Sequence, residues 1–186
     1  MGLLLDRLRP DLVAFAEAQP LWFVASAPLA ADGHVNVSPK GLDSFRVIDD
    51  TTVAYLDLTG SGVETISHLA ENGRITLLFC SYGDKPQLLR LYGRGEAVRP
   101  HDDDFDTLVA RFPSSLAALA SVRSIIRVHL HRVTTSCGYG VPQMDFVSER
   151  GMLEDWAERK GLDGVVAYQD DNNTTSIDGL PGLISS

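Results

Sequence analysis

The chain has 186 residues, 44% hydrophobic and 22% charged, with a net charge of −9. That length suits a single domain, 1–186, with a substantial buried core. The acidic balance argues against nucleic acid or an anionic membrane as the main partner, because both select a basic surface.

No run reaches the roughly 18 apolar residues of a membrane span. Asp6 and Arg7 follow the N-terminal leucines where a signal peptide needs its apolar centre. Two cysteines, Cys80 and Cys137, make no disulfide framework. The expectation is a reducing cytoplasm, with Asn36 and Asn173 unglycosylated although each opens an Asn-x-Ser/Thr triplet.

Residues 11–18 predict a short helix, with Leu12, Phe15 and Ala16 on one face and Pro20 beyond its end. Residues 21–27 are aromatic and apolar and predict a strand. A turn at 31–34 leads to a half-buried strand, 35–38, which Pro39 is expected to break. Residues 45–48 and 52–58 read as a hairpin joined by Asp49-Asp50-Thr51.

A helix over 63–72 gathers Val63, Ile66, Leu69 and Ala70 on one face, and Gly73 closes it. Residues 74–80 predict a buried strand, 82–86 a turn and 87–98 a long strand. Gly93 and Gly95 inside that strand predict a bulge or sharp bend. Residues 100–112 predict a helix and 123–135 another strand. On the latter, Ile126, Val128 and Leu130 face away from Arg127, His129 and His131. Residues 152–160 predict a helix with Asp155 and Arg159 spaced for an ion pair, and 164–168 a final short strand. Short strands in hairpins with a few helices predict a mainly β, α+β protein built on an antiparallel barrel or sandwich. A Rossmann sheet is disfavoured.

The stretch Leu58-Thr59-Gly60-Ser61-Gly62-Val63-Glu64-Thr65 joins a strand to a helix. Such a turn leaves backbone N–H groups free at the positive end of a helix dipole, a ready anion site. Ser61 and Glu64 also fit a capping box, with the Glu64 carboxylate folded back onto the chain. Both readings are compatible. One of only three lysines, Lys40, ends the strand before the hairpin and offers a compact cation. Cys137 sits in a Gly-rich turn with no placed base, so an inert thiol is the simpler reading. His129 and His131 lack a third ligand of sensible spacing, so no metal site is expected. Trp156 reads as a core or interface aromatic.

The order of these segments resembles the flavin-binding split-barrel family related to pyridoxamine 5′-phosphate oxidase. The run 72–79, Asn-Gly-Arg-Ile-Thr-Leu-Leu-Phe, is similar to the family's N-P-R-V-x-L-x-F strand, with Gly73 in place of Pro. The strand 91–98 is similar to its x-G-x-A-x strand. Segments 135–142 and 176–181 resemble an uncharacterised branch.

The resemblance implies an antiparallel split β-barrel homodimer with FMN at its interface. Lys40 then corresponds to a phosphate-contacting lysine, and Ser61, Gly62 and Thr65 to the phosphate turn. Ser38 would reach the phosphate or the flavin edge. An arginine near the flavin N1 edge favours an anionic reduced ring; Arg74 and Arg90 are candidates. The implied activity is flavin-dependent oxidoreduction of a small molecule, with the cofactor carrying the chemistry. A non-catalytic flavin or electron-transfer module is the alternative, and the same barrel holding haem or a deazaflavin the third. Two departures count against the B6 oxidase itself. Glu64-Thr65 replaces the Arg-Lys pair at the helix start, and the chain lacks the Arg-rich ending Arg-Leu-Ala-Pro.

Overall fold

The structure is a computed structural model that describes residues 2–183. Its centre is one antiparallel sheet. The strands are β1 (Leu4–Leu5), β2 (Trp22–Ser26), β3 (Asn36–Lys40), β4 (Phe45–Asp49), β5 (Thr52–Leu58), β6 (Arg74–Cys80), β7 (Leu88–Val98) and β8 (Val122–Ser136). They run β3-β2-β6-β7-β8-β5-β4, with β1 beside β8. The end strands β3 and β4 do not pair, so the barrel is split. The helices are α1 (Pro10–Glu17), α2 (Glu64–Asn72), α3 (Phe105–Val109), α4 (Ser114–Ala117) and α5 (Met152–Asn172). The fold is mainly β with helical insertions, as the strand-rich pattern predicts.

Alternation along the strands makes the core. Trp22 and Val24 of β2, Leu77 and Phe79 of β6, and Leu89 and Leu91 of β7 point inward and are buried. Trp22 stacks on Phe79 at 5.5 Å and meets Phe45 and Tyr55 edge-on at 5.6 and 5.2 Å. Strand β5 is buried on both faces. Val53 and Tyr55 enter the barrel interior, whereas Ala54 and Leu56 pack with Leu108, Phe112 and Leu116 from the α3–α4 region. Helix α2 lays Ile66 and Leu69 against the interior, over the glycines of β7. A Cβ at Gly95 would touch Leu69 at 3.1 Å.

Several expectations hold. The 45–48 and 52–58 runs pair as a hairpin. Gly73 ends α2 in the left-handed region at φ 70°, where glycine carries no Cβ penalty. The β7–β8 register shifts between Tyr92 and Gly93. Others are corrected. Pro39 lies inside β3 and does not end it, because β3 is an edge strand whose missing donor faces no neighbour. The single helix expected over 100–112 is shorter and is followed by a second, with a turn and Pro113 between them. Residues 164–168 are helical: α5 runs on past a kink at Gly161 (φ 64°, ψ 175°). There Val165 is buried, and Tyr168 meets Trp156 edge-on at 5.2 Å, so tertiary contacts override strand propensity. Asp155 and Arg159 do not form the expected ion pair among the described residues; the charged contact of this helix is Lys160, which lies over both rings. Among the described residues no helix is long and apolar enough to cross a membrane.

Candidate functional site

Strand β3 turns Asn36, Ser38 and Lys40 toward the barrel side, because alternate residues share a face. They sit opposite Ser26, Val24 and Trp22 of β2. Asn36 Nδ2 donates to Thr65 Oγ1 at 3.1 Å, and Ser38 Oγ donates to Asn36 Oδ1 at 3.3 Å. A hydrogen-bonded row thus links β3 to the first turn of α2.

Beneath the Gly60–Gly62 turn lies a charged cluster. The Asp57 carboxylate is 1% exposed. It accepts from Arg123 Nε at 2.7 Å and Ser124 Oγ at 3.2 Å, and Lys40 Nζ stands 3.5 Å away. Burial works to raise the Asp57 carboxyl, but Arg123 and Lys40 outweigh it and hold it below the usual carboxylate range. Two cations therefore surround one carboxylate, and the cluster carries one surplus positive charge. The Tyr55 ring lies under Lys40, 5.6 Å from Nζ. Its buried hydroxyl has no partner among the described residues. Burial, reinforced by the Asp57 charge, pushes that phenol well above its ordinary value.

The turn itself is held from below by its carbonyls. Arg123 Nη1 donates to Gly62 O at 2.9 Å and to Asn173 Oδ1 at 2.8 Å, and Asn173 Nδ2 donates to Gly60 O at 3.0 Å. Thr59 is pinned by Ser121 O and by Gln169 of α5. Among the described residues the N–H groups of Gly60, Ser61, Gly62 and Val63 make no hydrogen bond. Carbonyls drawn inward and amides left over is the polarity an anion site needs.

The capping box does not form. Val63 is the N-cap of α2, with no side-chain cap, and Glu64 is already the first helical residue. With its carbonyls tethered to Arg123 and Asn173, the turn enters the helix two residues later than the pattern implies. Ser61 stays exposed, and Glu64 Oε1 accepts from Ile177 N at 3.3 Å instead.

Of the expected site residues, Ser38, Lys40, Gly62 and Thr65 come together around this turn, and Ser61 lies on its outer side. Arg74 does not join them. It lies on the opposite face of the sheet, where Asn72 Oδ1 accepts from its Nε at 3.2 Å and Pro28 O from its Nη2 at 3.0 Å. Sequence reasoning missed Asn36, Asp57, Arg123 and Asn173. The signal for Asp57 was a lone carboxylate in the apolar run 52–58. Asn173 carried none, because its partners are 50 or more residues away.

The sequence pattern of the family described as pyridoxamine 5′-phosphate oxidase matches residues 8–137. The chain belongs to that family. The pyridoxamine 5′-phosphate oxidase family protein ustO of Aspergillus flavus is 39% identical over 201 residues, which span 100% of this chain and 80% of the fungal one. Among solved structures, HupZ of group A Streptococcus superposes with a TM-score of 0.54 at 21% identity, covering 68% of this chain and 91% of HupZ. An FAD-binding protein from Mesorhizobium loti gives 0.50 at 16% identity, covering 73% and 96%. These two share the split-barrel fold of the family.

Proposed function

We propose that the chain binds FMN, with the phosphate at the Gly60–Gly62 turn, and serves as a flavin-dependent oxidoreductase for a small molecule. The observation that carries the reading is the surplus positive charge of the Arg123–Asp57–Lys40 cluster under a turn with unpartnered amides. Family membership supports it. The donor set fits a phosphate: Lys40 supplies a cation whose remaining donors are unpaired among the described residues, and Thr65, Ser61 and Ser38 supply hydroxyls. Arg123 acts indirectly, fixing the turn through Gly62 O and Asn173 while balancing Asp57. When bound, FMN supplies the redox chemistry; the chain binds it, orients it and limits its contact with water.

A homodimer belongs to the same reading. Val37 and Pro39 of β3 are exposed on the outer face, next to half-buried Phe23 and Leu78. A second copy would cover this apolar patch. Both cysteines are free, Cys80 buried and Cys137 exposed, which suits a reducing cytoplasm.

The visible absorption spectrum of purified protein, before and after adding FMN or FAD, tests the binding. Flavin bands and tighter retention of FMN are expected; protein that neither retains nor rebinds a flavin would refute the reading. Anaerobic reduction of the bound flavin by NAD(P)H then separates an oxidoreductase from a binding-only module.

A further inference from the structure

We infer that the outer face of the sheet carries a second binding site, a cleft beside Arg74 that takes a small carboxylate with an apolar body. The cleft measures about 340 Å³, within the range of sites for small molecules. Ala25, Ala27 and Val35 give it apolar walls, and Arg74, Tyr92 and His131 bring polar groups to it. Among the described residues no carboxylate lines it, although the chain as a whole carries −9.

The backbone places these groups deliberately. Along β7–β8 the register passes from Tyr92↔Arg132 to Gly93↔Leu130, so His131 is the extra residue of a β-bulge. A bulge re-aims the side chain it frees, and here His131 lines the cleft while Leu130 before it and Val133 two residues after it stay buried. Gly93 makes the close approach possible. A Cβ there would strike the Val128 side chain and come within 2.6 Å of His129 O.

Arg74 is oriented in advance. Asn72 Oδ1 holds its N–H and its Nε, and Pro28 O holds Nη2. Nη1 has no partner among the described residues. Arg94, paired with Arg74 across the strands and tied to Asn72 O at 3.1 Å, adds a second guanidinium nearby. A pre-set guanidinium edge matches a planar carboxylate, and the apolar walls favour a ligand with a hydrocarbon part. This site lies on the face of the sheet opposite Ser38 and Lys40 and does not rest on the flavin reading.

Benzoate is the probe, followed by ¹H–¹⁵N NMR on the protein as purified, with its flavin content read separately from the absorbance. The amide signals of Thr76, Tyr92 and His131 are expected to move saturably. Acetate, lacking the apolar body, and benzyl alcohol, lacking the charge, should each bind at least about fivefold more weakly. Arg74→Gln should weaken benzoate about tenfold or more. His131→Gln, at an exposed ring, should keep the fold and weaken binding about threefold. Shifts centred on Lys40 and Thr65, equal binding of benzyl alcohol, or unchanged affinity in both variants would overturn the proposal.

Discussion

Asn173 reaches back 113 residues to donate its side-chain amide to the carbonyl of Gly60, while its Oδ1 accepts from Arg123. A residue just past the end of α5 therefore fixes the turn that opens α2. It is fully buried, and its own carbonyl accepts from Leu183 N at 2.7 Å. The segment after α5 is thereby folded back over the start of α2.

Asn173→Ala removes both side-chain bonds, leaving buried Arg123 short of one acceptor and the Gly60 carbonyl without its tether. A loss of about 2–3 kcal/mol is expected. It should appear as a lower urea midpoint at unchanged slope. An unchanged midpoint would show that the tether contributes nothing.

Asp57→Asn leaves buried Arg123 and partly exposed Lys40 side by side without their counter-charge. The expected cost is about 3–5 kcal/mol. The folded-state carboxyl lies below its ordinary range, so its contribution is present above the unfolded value of about 3.8 and lost as pH falls through the folded one. The variant should therefore show a flatter acid limb in stability against pH. A wild-type-like acid limb would contradict this.

Two histidines pull stability in opposite directions near neutral pH. Burial lowers His68, against the charges of Asp178, Glu64 and Glu71; Ser26 Oγ lies 2.9 Å from its Nδ1, and its Nε2 is unpartnered among the described residues. The unfolded ring takes a proton below about 6.5 while the folded one resists, so its contribution shrinks as pH falls below that value. His34 is raised by its hydrogen bond and charge pairing with Asp178. Its contribution is full below about 6.5 and lost as pH rises through the folded value. Urea midpoints between pH 5.5 and 8 should show His68→Gln losing less stability on acidification than wild type, and His34→Ala losing more. The reverse order would refute both assignments.

Gly93→Ala and Gly60→Ala should differ sharply. A Cβ at Gly93 meets the Val128 side chain and the backbone of His129, whereas a Cβ at Gly60 meets nothing within 4 Å. The first should cost about 1–3 kcal/mol by overpacking, and the second no more than about 0.5 kcal/mol. Thermal melts of the two variants decide it, and equal shifts would contradict the packing account.

Most of the architecture was legible because burial wrote it into local patterns. The apolar runs at 21–27 and 74–80, the long strand at 87–98, the turn at 49–51 and the glycine at 73 each point to one structure. The failures share a cause. Pro39 is tolerated by its place at a sheet edge, which local sequence does not reveal. Gly164 to Tyr168 is helical because Val165 and Tyr168 find partners elsewhere in the fold. Ser61 and Glu64 match a local capping motif, yet Arg123 and Asn173 draw the turn away from it. The site divides the same way. Lys40 and the Gly60–Gly62 turn have local signatures. Asp57, Arg123 and Asn173 acquire meaning only through contacts across 50 residues or more. Arg74 follows the family pattern along the chain, but strand alternation puts it on the other face.

FMN affinity of wild type against Lys40→Ala, alone and with Ser61→Ala, tests the central claim most directly. Titration of the flavin-free protein, followed by quenching of FMN fluorescence, should give tight wild-type binding. Removing the surplus cation should weaken it about tenfold or more, with little loss of fold because the Lys40 side chain is 21% exposed and Asp57 keeps Arg123. The same affinity in all three proteins, or no FMN binding to the wild type, would contradict the account.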